Sequence, residues 1–315
     1  MNVSITVICY NSSDTIVDTL DSILAQNYCT KNIELVISDD ASTDNCVETI
    51  DQWLSIHSQA FLNINFIKNK VNQGVTGNCN TAWRAATCDW IKPIAGDDML
   101  KTNCISDNVA YIKSHPECKV LFSEMEWFGN IEQITPSPYD IKFFKKDSKS
   151  QNNWLSILSF NIAPSAFINK NLLAEVGYTD NRFKNLEDLP LWIKITKAGH
   201  RLHFLNKVTV SYRSAESISM SNHRYVNMDF FKDLIAINKS QAGSFRKSPI
   251  KECIRHEQLL FFNLTLLIGR ISGNKKSRYT NYLRRSTWFF RPIHIVHQIH
   301  CKAYNALKIN KKSKD

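Results

Sequence analysis

The feature that most constrains this chain is an alternation of short β-branched runs with stretches of helical periodicity, repeated across the first 125 residues. Val3–Cys9 (VSITVIC) is the first run, and Ile16, Leu20, Ile23 and Leu24 follow at helical spacing. Ile33–Ile37 is the second run, followed by Val47, Ile50 and Leu54. Leu62, Ile64 and Phe66 alternate with asparagines, as a half-buried strand requires. A helix over Asn78–Thr87 and a strand over Trp90–Ala95 come next, then a helix striped by Ile105, Val109 and Ile112, then a strand at Val120–Ser123. Repeated βα units of this length predict an α/β fold with a mainly parallel sheet flanked by helices.

In such a sheet, ligands bind beyond the carboxyl ends of the strands, because helix starts and loops converge there. The polar residues of this chain fall at those ends. Tyr10 and Asn11 close the first run, Asp39 and Asp40 the second, and Asp97 and Asp98 the fourth. Ser-Asp-Asp-Ala-Ser-Thr-Asp also suits a turn and helix cap, and Gly96-Asp97-Asp98 also suits a β-turn. Adjacent carboxylates after a buried strand repel each other, however, and a cation relieves that repulsion. A pyrophosphate substrate needs such an ion, and Mg²⁺ or Mn²⁺ held by one or two carboxylates plus phosphate suits it. The chain lacks GxxxxGK[ST] and GxGxxG, which disfavours P-loop and Rossmann dinucleotide binding. A further acidic pair, Glu187-Asp188, precedes a helix predicted over Leu189–Ala198. A cap explains it, and so does a base that takes a proton from an acceptor hydroxyl.

These residues resemble glycosyltransferase family 2, the inverting, nucleotide-sugar-dependent enzymes of GT-A fold. The resemblance rests on TVICYN (Thr6–Asn11), SDDASTD (Ser38–Asp44), the stretch Gly74–Leu100 with its GDD, APSAFINKNLLAEVG (Ala163–Gly177), NLEDLPLWIKITKAG (Asn185–Gly199) and YRSAESIS (Tyr212–Ser219). It implies Tyr10 and Asp39 at the nucleotide base, Asp97 near ribose and metal, and Asp98 as principal ligand of Mg²⁺ or Mn²⁺. It also implies Asn80 walling the donor site, Asp188 as catalytic base beside Glu187, and Tyr212 and Arg213 in a loop closing over the donor. The family's histidine two places after the Tyr-Arg pair is replaced by Ala215, with His223 or Arg224 as stand-ins. The implied partners are a nucleotide-diphosphate sugar, UDP-linked, and a saccharide or lipid-linked saccharide acceptor, as in surface polysaccharide or glycolipid synthesis. A nucleotidyltransferase is the rival enzyme, but its Gly-rich, Lys-containing loop is missing after the first run. A non-catalytic basic membrane- or RNA-binding protein is the other rival, disfavoured by intact Asp39, Asp98 and Asp188.

The remaining sequence predicts the organisation of the chain. Residues 1–220 read as the catalytic domain, with 1–125 binding the donor and 150–220 the acceptor, and residues 129–152 read as loop or linker. A strand near Ala166–Ile168, a helix start at Asn169–Val176 and a strand pair over Leu202–Tyr212 are expected, with helices from 225 to 315. Charge divides along the same line. From residue 241 onward there are 16 Lys/Arg against 3 Asp/Glu, whereas residues 1–240 hold 23 against 26. That basic segment, with Trp288, Phe289 and Phe290, suits the anionic surface of a membrane, and no nucleic-acid module is recognisable. No run of about 18 apolar residues and no secretory leader is evident. Nine cysteines without a CxxC pair read as reduced structural thiols. A cytoplasmic protein, peripheral on the inner face of the cell membrane, is the expectation.

Overall fold

The computed structural model describes residues 1–155, 162–214, 224–241 and 248–312, with the side chains of 308–312 left out. Its elements run β1 (Val3–Cys9), α1 (Ile16–Leu24), β2 (Ile33–Asp39), α2 (Cys46–His57), β3 (Asn63–Lys68), α3 (Gly74–Ala85), β4 (Trp90–Ala95), β5 (Met99–Leu100), α4 (Cys104–Ser114) and β6 (Val120–Gly129). They continue with β7 (Gln133–Thr135), α5 (Ile141–Phe144), α6 (Ser148–Leu155), β8 (Phe167–Asn169), α7 (Lys170–Glu175), α8 (Asp188–Lys197) and β9 (Leu202–Ser214). Four helices follow: α9 (Met228–Ser240), α10 (Pro249–Ile271), α11 (Arg278–Ser286) and α12 (Pro292–Lys312).

Among the described residues one sheet runs in the order β3-β2-β1-β4-β8-β6-β9-β5, with β7 paired to β6. The first four strands are parallel, and β6 and β9 are parallel over a long register. The antiparallel steps at β8, β5 and β7 span only two or three residues each. β1 and β2 are buried almost along their whole length, as parallel strands of an α/β sheet are, and the polar Ser4 and Glu34 among them are paired with each other. Ile16, Leu20 and Ile23 of α1 and Ile50 and Trp53 of α2 join Val3, Ile5 and Val7 in that core.

Three expectations change. Residues 129–152 hold β7, α5 and the start of α6 rather than a linker. The first inward residues of α6, Gln151 and Asn152, are amides and so escape a hydrophobic pattern. Gln151 is fully buried and exchanges hydrogen bonds of 2.9 and 2.8 Å with the Leu202 backbone, and Asn152 donates to the Ile193 carbonyl at 3.0 Å. The strand pair over Leu202–Tyr212 is one strand, β9. Leu205 pairs with Ser123 and Val208 with Glu124, so Asn206-Lys207 forms a bulge that imitates a turn in the sequence. Finally, α3 begins at Gly74, earlier than Asn78, for a reason given below.

The chain divides into two compact units. One comprises Met1–Pro136, Phe144–Asn152 and Phe160–Ser214, and the other Ser137–Phe143, Asn153–Ser159 and Ala215–Asp315. The first contains the whole sheet.

A lysine lies in the middle of that sheet. Lys92, on β4, is fully buried, and its ammonium donates to the carbonyls of Pro93 (2.9 Å) and Pro164. Burial pushes its pKa down to about 8, against the pull of nearby negative charge that includes Asp98. Between pH about 8 and 10.5 the unfolded chain therefore binds more proton at this site than the folded one, so folding stability gains from rising pH there. In Lys92→Met that gain disappears. Urea midpoints of both proteins at the two ends of the window should show wild type gaining on the variant as pH rises, and a constant difference would contradict the assignment.

Candidate active site

The parallel register of β1, β2 and β4 brings three polar loops to one rim. Cys9 pairs with Asp39, and the Gly96 amide donates to the Ile8 carbonyl at 2.9 Å. The loops after β1 and β2 are bonded to each other. The Asn11 amide donates to the Ser42 hydroxyl, and the Asn11 side chain accepts from the Thr43 amide, both at 2.8 Å. Asn11 and Ala41 hold positive φ of 51° and 61°, uncommon for residues with a side chain and characteristic of loops over-determined by their surroundings.

Tyr10 stands exposed at 48% on this rim. Asp39 is buried, and both its oxygens serve the loop: one accepts the Ser42 amide at 2.9 Å, the other the Ser42 hydroxyl. Asp40, also buried, reaches the other way and accepts the amides of Gln73 and Gly74, each at 2.9 Å. This cap comes from the end of a distant strand and is joined by a local one, since the Asn72 side chain also accepts the Gly74 amide, at 3.1 Å. Burial pushes the Asp40 carboxyl up, and the two amides pull it back. Gly74 has φ +78°, and a Cβ there would sit 2.9 Å from the Lys184 carbonyl oxygen, so glycine is required.

α3 is the central fastener. Asn78, which the sequence reading did not single out, donates to the Ser38 carbonyl at 3.0 Å and accepts from Asn69 at 3.1 Å. Its only sequence signal is the run of asparagines around it. Asn80, expected to wall the donor site, bonds the segment ahead of α8. Its amide nitrogen donates to Asn181 Oδ1 (2.7 Å) and to the Thr179 carbonyl (3.2 Å), and its oxygen accepts from the Thr179 amide (3.1 Å). Thr76 donates to the Phe183 carbonyl. That segment leads directly to Glu187 and Asp188.

Glu187 and Asp188 are half-buried at the start of α8, with Asp188 accepting the Leu189 amide at 2.5 Å. Burial and then the Asp188 charge push Glu187 up to about 8, and burial raises Asp188 as well. The Cys79 thiol of α3 is raised by burial and by the charges of Glu187, Asp188 and Asp40, which puts α3 within the field of both acidic groups.

On the other strand end, Asp98 is buried at 1% exposure. Its Oδ1 accepts the Arg213 amide at 2.9 Å, while Oδ2 is buried with no hydrogen-bond partner among the described residues. Burial raises its pKa well above the carboxylate range, the Asp97 charge adds to that, and the Arg213 amide opposes it. Asp97 is raised by burial too, with the Arg213 charge opposing. Arg213 lies on β9 rather than in a loop. Its guanidinium donates to the Asp97 carbonyl and to Asp18, both at 2.8 Å. Ala215 and His223 lie outside the described residues, and Arg224 forms a backbone bridge with Lys275.

An orphaned buried carboxylate oxygen beside a second carboxylate is what a small, hard cation relieves. The donor set is oxygen only, and one or two carboxylates suffice when substrate phosphates and water complete the shell, so Asp98 with Asp97 fits Mg²⁺ or Mn²⁺. A different group also comes together: Cys9, Asp39 and Cys46 present ligand atoms within 4.8 Å of one another. Cys9 and Cys46 are far apart in sequence, which is why spacing did not reveal them. Their hydrogen bond raises the Cys9 thiol and lowers Cys46. Two thiols make that set soft, unlike the Asp97–Asp98 oxygens.

Comparison with known proteins extends this picture. The family model described as Glycosyl transferase family 2 matches residues 4–177. The UDP-Glc:alpha-D-GlcNAc-diphosphoundecaprenol beta-1,3-glucosyltransferase WfaP of Escherichia coli is 31% identical over 280 residues, which are 88% of this chain and 98% of that protein. The crystal structure of Staphylococcus aureus TarS 1-349 in complex with UDP-GlcNAc has a TM-score of 0.60 at 20% identity, covering 91% of this chain and 79% of that one. The mannosyltransferase PcManGT from Pyrobaculum calidifontis in complex with GDP-Man and Mn²⁺ has a TM-score of 0.58 at 17% identity, covering 97% and 85%. At these identities the two structures speak to the fold.

Replacing Asp98 with Asn keeps an oxygen for the Arg213 amide and removes the charge. The variant should melt at or above the wild-type temperature, because a buried carboxyl is relieved. Calorimetric titration with a nucleoside diphosphate should show that its binding no longer responds to Mg²⁺ or Mn²⁺. Binding that stays metal-dependent, as in wild type, would remove Asp98 from the ion site.

Proposed function

Because this chain belongs to glycosyl transferase family 2, we propose that it transfers one sugar from a UDP-sugar to a hydroxyl of a lipid-linked saccharide, with inversion at the anomeric carbon. The observation that carries this reading is the pair of buried acidic sites on one α/β scaffold: Asp98 with its unpartnered oxygen, and Glu187-Asp188 with pKa values raised by burial. Groups whose environments set their ionisation apart from solution values are what acid–base chemistry and cation binding both use.

In the proposed reaction the acceptor oxygen attacks the anomeric carbon as the bond to the diphosphate oxygen breaks. Asp188 takes the acceptor proton, and the nucleoside diphosphate leaves with the bonding electrons. A pKa raised by burial makes Asp188 a readier proton acceptor than an ordinary carboxylate. Mg²⁺ or Mn²⁺ bound at Asp98 and Asp97 supplies neutralisation of charge on the departing diphosphate. Arg213, bonded to Asp18 and to the Asp97 carbonyl, holds the acidic turn in place and adds positive charge beside it. Tyr10 offers an exposed ring for the base, and Asp39 shapes the loop alongside it through Ser42. Asn80 contributes by fixing Thr179–Asn181 ahead of the base.

UDP and a lipid diphosphate acceptor are preferred because WfaP, whose name specifies both, aligns over nearly its whole length. Such an acceptor serves surface polysaccharide or glycolipid synthesis, and the work then takes place on the inner face of the cell membrane. Among the described residues no helix is long and apolar enough to cross a membrane.

Asp188→Asn keeps shape and removes the proton acceptor. Donor affinity should stay near wild type while transfer falls by ~10²–10⁴-fold. The wild-type rate should fall on acidification with a midpoint above that of an ordinary aspartate, about 3.9, because Asp188 must be ionised to act. Steady-state kinetics across pH check both, and equal loss of donor binding and rate would make Asp188 structural.

A further inference from the structure

The second unit carries an exposed surface that the reaction does not use. The turn Thr287–Phe290 after α11 leaves Trp288, Phe289 and Phe290 in solvent, Phe289 at 85%. On α11, Tyr279 and Tyr282 are exposed, three residues apart and so on one face, while Thr280 is buried. Single exposed apolar residues are ordinary, but five aromatics within twelve residues are a patch that something covers. Basic residues lie among and beside them in the chain: Lys275, Lys276, Arg278, Arg284 and Arg285 are all exposed. The neighbouring helices repeat the pattern. α10 buries Thr265, Leu266 and Gly269 and exposes Leu260, Leu267 and Ile271, and α12 exposes Val296, Ile299 and Leu307.

We propose that this aromatic and basic face, centred on α11 and the turn Thr287–Phe290, docks onto an anionic lipid bilayer. Charge decides between the two occupants an apolar face admits. With 16 basic against 3 acidic residues from residue 241 onward, a second copy would bring like charge against like, whereas anionic headgroups neutralise it. Residue type agrees, because Trp and Tyr rings and the stems of Arg and Lys suit the boundary between headgroups and acyl chains. The inference goes beyond the transfer reaction but rests in part on the reading that the acceptor is lipid-linked.

The test is co-sedimentation of the full chain with vesicles of phosphatidylcholine alone or mixed with phosphatidylglycerol. Binding should require the anionic lipid and weaken as salt rises. Trp288→Ser, Phe289→Ser and Phe290→Ser together should lower the partition coefficient at least tenfold. Arg278→Gln, Arg284→Gln and Arg285→Gln together should lower it about a hundredfold, since each basic group near the surface contributes roughly fivefold, about 1 kcal/mol. Both variants should keep the wild-type melting temperature and the wild-type rate on a water-soluble acceptor, so failure of the docking and failure of the transfer reading are distinct results. Equal binding to neutral lipid, or none to either, overturns the proposal. So does a dimer in analytical ultracentrifugation that the aromatic substitutions dissociate, which would assign the face to a second copy.

Discussion

The candidate site depends on a carboxylate that does no chemistry in it. Asp40, at the end of β2, accepts the first amides of α3 through Gln73 and Gly74. The first amides of a helix have no partner within it, and the buried Asp40 supplies one to each of these two, so this cap helps to set where α3 begins. From there α3 reaches both ways. Asn78 gathers the ends of β1 and β2, while Thr76 and Asn80 hold the stretch 179–183 that leads to Glu187-Asp188. The loops after β1 and β2, proposed to hold the nucleotide, and the proposed base are thus set by one helix, and that helix in part by one buried acid.

The second organising contact is Arg213 on β9. Its backbone amide occupies one oxygen of Asp98, and its guanidinium spans the Asp97 carbonyl and Asp18 on α1. One residue thereby links a strand, the acidic turn and a helix, and it leaves the other Asp98 oxygen without a hydrogen-bond partner among the described residues. That oxygen is what the proposed cation would take up.

How far the sequence reveals this follows from which forces are local. The limits of β1 and β4 were legible to the residue, because each is a short, mainly apolar run closed by polar residues or glycine. The acidic residues at their ends were legible as well, since a parallel sheet leaves one rim for ligands. What stayed hidden depends on distant partners: Asp40, after β2, caps the start of α3, and Gln151 and Asn152 of α6 bond β9 and α8 through side-chain amides. The Asn206-Lys207 bulge passed for a turn because two polar residues look alike in both settings. The buried Lys92 carried no signal, being a charged residue in a core strand. The exposed aromatic turn at Trp288–Phe290 was visible as composition, but only the structure reveals that its rings face solvent.

The central claim is a single displacement, with the base at Asp188 and the leaving diphosphate held at the Asp97–Asp98 turn. Stereochemistry tests it most directly, because one displacement inverts the anomeric carbon and two restore it. Proton NMR of the product formed from an α-configured UDP-sugar gives the answer. A β-glycoside is the expected initial product, and an α-glycoside would exclude a single displacement.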